Sequence, residues 1–240
     1  MTDQHSKLLE TLSLYPSRIV ACSGGIDSLV LATLAHRAAP EQTIVAHTVT
    51  PAVPGPGTAR VVAFAEREGW NLELVGSNEF DDERYLANPA DRCYYCKSNL
   101  YAAIAMLQET RLVGADAVIL SGANTDDLGE YRLGLVAAAE QAVHHPYIES
   151  GWAKNDVRAA ARVLGLAEAD LPSSPCLASR LYTGTRVTAA RLQAVEVGEA
   201  LVTQLTGIGV VRCRIRDEAV HIEVMADDRR LIDNRVVAAV

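Results

Sequence analysis

Two groups of residues have types and spacings suited to chemistry. The first is Ser23-Gly24-Gly25-Ile26-Asp27-Ser28. Two glycines let a backbone bend tightly and aim several N–H groups at one point. A helix starting there adds positive potential, and Ser23 and Ser28 add hydroxyl donors, so the string is a cradle for phosphate or pyrophosphate. Asp27 is out of place beside an anion unless Mg2+ bridges it to phosphate oxygens. The same residues also fit an ordinary glycine turn, with Asp27 and Ser28 in the first turn of a helix. The string lacks the Lys and the longer spacing of the nucleoside triphosphatase loop, and it lacks the GxGxxG of dinucleotide folds.

The second group is sulfur. Cys93-Tyr94-Tyr95-Cys96 is a CxxC, and Cys176 lies in Pro175-Cys176-Leu177-Ala178-Ser179-Arg180. Ligands spaced this closely wrap one metal ion or one edge of a cluster, with a third supplied from elsewhere. Arg92 and Lys97 flank the pair and are expected to lower the thiol pKa values. A redox disulfide and two buried cysteines without a chemical role are the rival readings. A closed zinc site needs four ligands, and His144 or His145 would complete one. Three cysteines with an open position suit a 4Fe–4S cluster that takes an outside ligand. Cys22 and Cys213 fall in expected strands and read as core.

These groups need elements to hold them. Arg18–Cys22, Thr43–Val49, Leu72–Val75 and Ala117–Ser121 read as strands, with Val143–Ile148 as a short fifth. Between them the pattern predicts helices over Asp27–Ala38, Thr58–Glu68, Cys96–Leu112, Glu130–Gln141 and Asn155–Leu164. Thr58 and Asn155 are the expected caps, Gly69 is an expected stop, and Pro51–Gly57 and Asn78–Asp91 read as irregular. This alternation predicts an α/β fold: a doubly wound parallel sheet with helices on both faces, over residues 1–170. Pro172–Gly184 changes character. Residues 171–240 read as a small α+β lobe, with a helix over Ala189–Gln204 and strands at Val210–Ile215 and Ala219–Val224.

Composition narrows the class. The chain has 240 residues, 49% of them hydrophobic, with a formal net charge of −8. It has enough apolar residues to build a core, so disorder is excluded. No apolar run is long enough for a membrane span, and Met1–Pro16 lacks the pattern of a secretory signal. Five cysteines, sparse and odd in number, argue against a disulfide framework and point to a cytoplasmic chain. The acidic balance disfavours nucleic acid as partner.

The Ser23–Ser28 string resembles the pyrophosphate loop of the PP-loop ATP pyrophosphatases. These cleave ATP between its α and β phosphates and adenylate a carboxylate, amide or carbonyl oxygen. Asp91-Arg92-Cys93-Tyr94-Tyr95-Cys96-Lys97, Gly122-Ala123-Asn124-Thr125-Asp126-Asp127, Tyr131-Arg132-Leu133-Gly134 and Pro175–Arg180 carry the resemblance further. Together they closely resemble the LarE family of ATP-dependent sulfur transferases, which act in nickel-pincer cofactor synthesis. The likeness runs from about Ile19 to Val224.

That resemblance implies a chemistry. ATP adenylates a carboxylate of a pyridinium dicarboxylate mononucleotide, and a sulfur nucleophile displaces AMP to leave a thiocarboxylate. In single-cysteine members the residue matching Cys176 gives up its own sulfur and becomes dehydroalanine. In three-cysteine members, which this chain resembles, Cys93, Cys96 and Cys176 would hold a 4Fe–4S cluster whose open iron carries sulfide. Cys176, Asp27 and Arg180 are the expected catalytic residues, with Asp27 orienting Mg2+ or pyrophosphate and Arg180 binding a phosphate or carboxylate. Ala46–Thr48, His47 included, would lie on the adenine side. Gly122, Asp126 and Asp127 would lie against metal or ribose, with helix capping as the alternative for the two acids. Arg212 and Arg214 share a strand face that continues to Arg216, suited to a substrate phosphate or simply to solvent. Glu199 would pair with one of these arginines. The resemblance also implies a homo-oligomer.

The chain departs from the family pattern at Glu130 (usually Asp), Leu133 (usually Pro) and His221 (usually Arg), and Pro172–Pro175 lacks the usual Lys. It also ends at Val240, without the last family segment. These departures bear on the acceptor more than on the chemistry. A purine nucleotide or tRNA thiolated by the same chemistry is the alternative acceptor, and a non-enzymatic iron–sulfur or zinc sensor is the alternative class.

Overall fold

Four short aliphatic and β-branched runs build the central sheet: β1 (Arg18–Ala21), β2 (Thr43–Thr48), β3 (Asn71–Val75) and β4 (Val118–Ser121). They lie in the order β3-β2-β1-β4, and every pair is parallel. The computed structural model describes residues 3–109, 116–129, 133–217 and 219–240. The expected helix end at Leu112, and Glu130, Tyr131 and Arg132, lie outside the described residues.

Strand side chains alternate between faces. Ile19, Ile44 and Ile119 therefore enter one apolar cluster, while Val20, Val45 and Leu120 enter another. Around the sheet lie α1 (Asp3–Ser13), α2 (Ile26–Ala38), α3 (Gly55–Glu68), α4 (Glu83–Leu86), α5 (Arg92–Ala105), α6 (Leu133–Glu140), α7 (Pro146–Ser150) and α8 (Lys154–Val163). Leu8 and Leu12 of α1, Leu29 of α2, Tyr147 of α7 and Val157 of α8 fill the Val20 side. Tyr101 and Ile104 of α5 and Ala138 of α6 fill the Ile19 side. Burying each large aliphatic side chain this completely contributes about 1.5–3 kcal/mol. The doubly wound expectation holds.

The strand order also locates the site. The chain runs outward from β1 through β2 to β3, then returns to β4 on the other side of β1. The switch point is thus between β1 and β4, and ligands of such sheets bind beyond the strand C-termini there. The Ser23–Ser28 loop follows β1, and Gly122 follows β4.

A second, two-stranded antiparallel sheet pairs β5 (Val211–Arg216) with β6 (Ala219–Val224). Helix α9 (Ala189–Thr206) packs on it, and α10 (Asn234–Ala239) closes the described chain. Leu192 and Val195 of α9 join Leu177, Leu181 and Ile215 in a third cluster. That cluster also takes Ala52 and Tyr85, so the 171–240 segment shares a core with the sheet's loops.

Several local expectations need correction. The fifth strand is a single bridge between Leu120 and His144, because Pro146 starts α7 at once. Helix α3 begins at Gly55 with a proline in its first turn, so Thr58 lies inside the helix rather than capping it. Helix α8 begins at Lys154, and the Asp156 carboxylate accepts from the Ala153 N–H at 2.8 Å in place of an Asn155 cap. Helix α5 starts at Arg92, so both CxxC sulfurs are helical. The Asn78–Asp91 stretch contains α4. No helix among the described residues is long and apolar enough to cross a membrane.

Candidate active site

The loop after β1 is shaped from inside. Gly24 has φ +79°, and a Cβ there would lie 2.6 Å from the Gly57 carbonyl oxygen, so only glycine fits. Arg60 donates to the Gly24 carbonyl at 2.7 Å and fixes the bend. The Ser28 hydroxyl donates to the Gly25 carbonyl at 2.9 Å and accepts the Ser23 N–H at 3.1 Å. Ser28 is buried and serves the loop's own shape, whereas Ser23 is exposed. Gly25 caps α2 without a side-chain hydrogen bond. The first N–H groups of a 13-residue helix therefore face the loop without a side-chain acceptor, which is the arrangement an anion needs.

His47 is buried and bridges two elements. Its Nδ1 lies 2.7 Å from the Cys22 carbonyl oxygen, and its Nε2 lies 2.9 Å from the Thr58 hydroxyl. The carbonyl assigns the proton to Nδ1, so Nε2 accepts from Thr58. Burial lowers the His47 pKa against the opposing pull of the Cys22 carbonyl, so the ring is neutral. His47 lines the cavity described below while it ties the start of the loop to α3.

The acids form a knot at the switch point. Asp27 pairs with Lys154, and Asn124 Nδ2 lies 3.4 Å from its other oxygen. The Lys154 N–H donates to Asp126 at 3.1 Å, and the Asn124 N–H donates to Asp127 at 2.9 Å. Asp127 thus caps its own turn at Asn124, while Asp126 caps the start of α8. Asp127 also lines the cavity. A Cβ on Gly122 would lie 3.0 Å from the Asp27–Ser28 peptide, so β4 meets the loop through a residue with no side chain. Sequence reasoning missed Lys154 and Arg60. Each looked like an ordinary polar residue of a surface helix, and only the fold brings them to the loop.

One cavity of about 640 Å³ joins the two chemical groups. Ser23, Asp27 and Ser121 line it on the loop side, and Lys97, Cys93 and Cys176 line it on the sulfur side. Its size suits a small-molecule site.

Cys93 and Cys96 sit one turn apart on α5, so they share a face. Cys93 is exposed, while Cys96 packs against the third apolar cluster together with Cys176. Burial pushes the Cys96 thiol up to about 12, and Lys97 only partly opposes this. The expected lowering of that thiol is therefore overturned, because desolvation outweighs the neighbouring charge. Arg92 acts elsewhere: its guanidinium donates to the Asn88 side chain and to the Ala178 carbonyl.

Cys176 begins a 3-10 turn over Leu177–Arg180 that is tied on three sides. Leu177 N–H donates to the Ala52 carbonyl at 2.8 Å, and Arg92 donates to the Ala178 carbonyl at 2.9 Å. Arg180 donates to the carbonyls of Pro175 at 2.8 Å and Cys176 at 3.3 Å. Its Nε and Nη2 take both oxygens of Glu199, at 2.9 and 3.2 Å. Arg180 does bind a carboxylate bidentately, but an internal one. Its side chain is 3% exposed, lies outside the cavity lining and is bonded to the segment that carries Cys176. Glu199 also accepts the Cys213 N–H at 3.1 Å.

Arg212 and Arg214 share the expected face of β5 but do not line the cavity. Arg212 donates to the Ser173 carbonyl at 3.2 Å, and Arg214 to the Ser179 carbonyl at 2.9 Å and Glu223 at 2.6 Å. Both therefore border the segment that carries Cys176. Among the described residues, no three His, Cys, Asp or Glu side chains are grouped to hold a metal ion. A single zinc ion demands sulfurs packed tightly around one centre, whereas a cluster several atoms across holds its thiolates farther apart. His145 bonds to Ser121 at 2.9 Å, and His144 to Tyr15 at 2.9 Å.

No family model matches the chain. The uncharacterized protein slr1717 of Synechocystis is 34% identical over 206 residues, covering 86% of this chain and 75% of that protein. The pyridinium-3,5-bisthiocarboxylic acid mononucleotide synthase of Lactiplantibacillus plantarum is 28% identical over 206 residues, covering 85% and 73%. The uncharacterized protein MJ0830 of Methanocaldococcus jannaschii is 26% identical over 217 residues, covering 90% and 81%. With these similarities spanning most of its length and a PP-loop-like doubly wound sheet beneath its motifs, the chain belongs to the LarE family.

Proposed function

We propose that the protein is an ATP-dependent sulfur transferase acting on a small, nucleotide-like acceptor. The observation that carries this reading is that the anion-shaped loop and two of the three cysteines line one cavity. In the first half-reaction a carboxylate oxygen of the acceptor attacks the α-phosphorus of ATP, and the bond to the bridging oxygen breaks to release pyrophosphate. In the second, a sulfur nucleophile adds to the activated carbonyl carbon, and AMP leaves with the C–O bond to give a thiocarboxylate. A carboxylate is a poor electrophile, so adenylation supplies the leaving group.

The residues divide along these halves. The free N–H groups at the start of α2 and the Ser23 hydroxyl bind the departing pyrophosphate. Mg2+ would be held by Asp27 with phosphate oxygens, and Lys154, now paired with Asp27, is placed to follow the charge onto phosphate. The end of β2, with His47 and Thr48, forms the adenine side. The Thr48 hydroxyl is buried without a hydrogen-bond partner among the described residues, as a ligand-facing group would be. Cys176 is the sulfur residue held by Arg180 and Glu199. Thiolates are the donor type a 4Fe–4S cluster requires, and Cys93, Cys96 and Cys176 would hold it, Cys93 and Cys176 from the cavity wall and Cys96 from the third apolar cluster against which Cys176 also packs. When bound, such a cluster supplies an iron with an open position for sulfide. Arg212 and Arg214 would take the acceptor's phosphate from the β5 face, in a 171–240 lobe given to acceptor binding and sulfur transfer. The mononucleotide product named for the Lactiplantibacillus relative supports that acceptor class. A cytoplasmic homo-oligomer fits the same reading.

The test is anaerobic incubation with ATP, Mg2+, sulfide and a pyridinium dicarboxylate mononucleotide. Pyrophosphate and a product with sulfur in place of oxygen are expected together. Pyrophosphate with no thiolated product would sink the sulfur half, and neither would sink the reading. Cys93→Ser abolishes transfer if sulfide is carried on a cluster and leaves one turnover if Cys176 sacrifices its own sulfur.

A further inference from the structure

Among the described residues, strand β6 pairs along one side only, with β5. The direction of its backbone groups follows from β5. The Ile215 carbonyl accepts from the Tyr182 N–H at 3.1 Å, and the Cys213 N–H donates to Glu199 at 3.1 Å. Both bonds lead away from β6. The N–H and C=O of one strand residue point to the same side, so Cys213 and Ile215 form non-hydrogen-bonded pairs with Ile222 and Val220, the residues opposite them. Val220 and Ile222, and Val224 by alternation, therefore hold their N–H and C=O groups out along the free edge. Such an edge is a template for another strand, and proteins that keep one unpaired blunt it with proline, lysine, a bulge or a covering element. The β6 sequence Ala-Val-His-Ile-Glu-Val has neither residue, and its ladder with β5 has no bulge. Val220 is 48% exposed, and His221 and Glu223 are exposed beside it.

The strand is also complementary to itself. Val220, Ile222 and Val224 share one face, on which Ile222 and Val224 pack against Val202, Cys213 and Val236. His221 and Glu223 share the other face. When two copies of β6 run antiparallel, outward backbone groups must meet outward backbone groups, which allows Ile222 to face the partner's Ile222. Val220 then faces the partner's Val224 and carries the apolar cluster across the edge. His221 faces the partner's Glu223, and an imidazole N–H donates to that carboxylate. Sliding one copy by two residues sets His221 against His221 in one direction and Glu223 against Glu223 in the other, so the complementary charges pick out the register centred on Ile222.

We propose that β6 pairs antiparallel with β6 of a second copy of this chain, about a two-fold axis at Ile222, so that the two lobes share one continuous sheet in the order β5-β6-β6-β5. Arg212 and Arg214 of both copies then stand on one face of that sheet. The pairing gives a surface to the homo-oligomer of the reading above, and its test is independent of catalysis.

Sedimentation equilibrium of the full chain under reductant measures the association. Val220→Pro removes an outward N–H and leaves the ladder with β5 whole, so it is expected to stay folded by circular dichroism and to weaken association about tenfold or more. His221→Glu sets carboxylates against each other and is expected to weaken it several-fold, while the exchange His221→Glu/Glu223→His restores it. If Val220→Pro unfolds, this exposed pair carries the test. The register is read by cross-linking. In His221→Cys/Glu223→Cys the new thiols meet across the two-fold with Cα atoms about 4.5 Å apart, within disulfide reach. Mild oxidation is expected to give a covalent dimer on a non-reducing gel, with each single variant no more cross-linked than the parent, whose exposed Cys93 sets the background. A parent that stays monomeric at every concentration would overturn both the homo-oligomer and the inference. Association unmoved by Val220→Pro and His221→Glu, or a covalent dimer from His221→Cys alone, would overturn this pairing and leave the oligomer to another surface.

Discussion

The bond between Arg180 and Glu199 sets how firmly Cys176 is held, and it can be measured. Arg180 and Glu199 are 3% and 16% exposed, so breaking the pair leaves a charge without its partner in a dry place. Removing one member of a buried pair costs about 3–5 kcal/mol. The two truncations are not equivalent. Arg180→Met also removes the donors to Pro175 and Cys176, so it belongs at the upper end. Glu199→Gln keeps an oxygen for the Cys213 N–H and leaves Arg180 its carbonyl acceptors, so it belongs at about 2–3 kcal/mol. In a chain this size each kcal/mol moves Tm by about 2–4 °C, which puts Arg180→Met about 10–20 °C below the parent. The double variant Arg180→Met/Glu199→Gln removes both charges, and it should be more stable than the sum of the singles predicts by about 2–3 kcal/mol. Urea denaturation of the four proteins gives the cycle. Costs that simply add, or singles costing under about 1 kcal/mol, would refute the claim that this pair is buried and coupled.

Other consequences follow from the same geometry. Gly24→Ala forces a left-handed backbone and a Cβ against the Gly57 carbonyl, so urea denaturation should show a loss of at least about 2 kcal/mol. A loss near zero would mean the loop is not shaped as described. Lys154→Met should cost only about 1 kcal/mol of stability, because the pair with Asp27 is partly solvated. It should weaken ATP binding in titration calorimetry by roughly tenfold, or 1.4 kcal/mol, and unchanged affinity would remove Lys154 from the phosphate site. Burial lowers the pKa of both His47 and His145, so the unfolded chain takes up protons before the folded one does. Stability from these two groups is therefore full above about pH 6.5 and falls as pH drops below it, by at most about 1.4 kcal/mol per unit for each. His47→Gln should flatten that slope, and an unchanged slope from pH 6.5 to 5 would contradict the neutral assignment.

The sheet was legible in the sequence because parallel strands must be apolar on both faces, and runs such as Ile44-Val45-Ala46 leave little alternative. The loop was legible because Gly24 obeys a local backbone rule. Helix ends were less so. Thr58 and Asn155 are good caps by type, but a proline in the first turn of α3 and the Asp156 carboxylate at α8 decided the starts instead. The acceptors of the arginines were hidden for a different reason. Arg180 was read for a phosphate or carboxylate, Arg92 for the thiols and Arg60 for nothing, yet each faces a backbone carbonyl made available by tertiary folding. Spacing along the chain does not reveal which acceptor a long side chain will meet. Lys97 shows the same limit. It neighbours Cys96 as expected, but burial of the sulfur outweighs its charge.

In the proposed function one cavity joins ATP activation to sulfur transfer, with Cys176 serving only the second step. Cys176→Ser separates them in a single assay that follows AMP, pyrophosphate and thiolated product together. Cys176→Ser is expected still to release pyrophosphate from ATP in the presence of acceptor, at a rate within a few-fold of the parent, while thiolated product disappears. Retained thiolation in Cys176→Ser, or no pyrophosphate release from the parent with any acceptor, would contradict it.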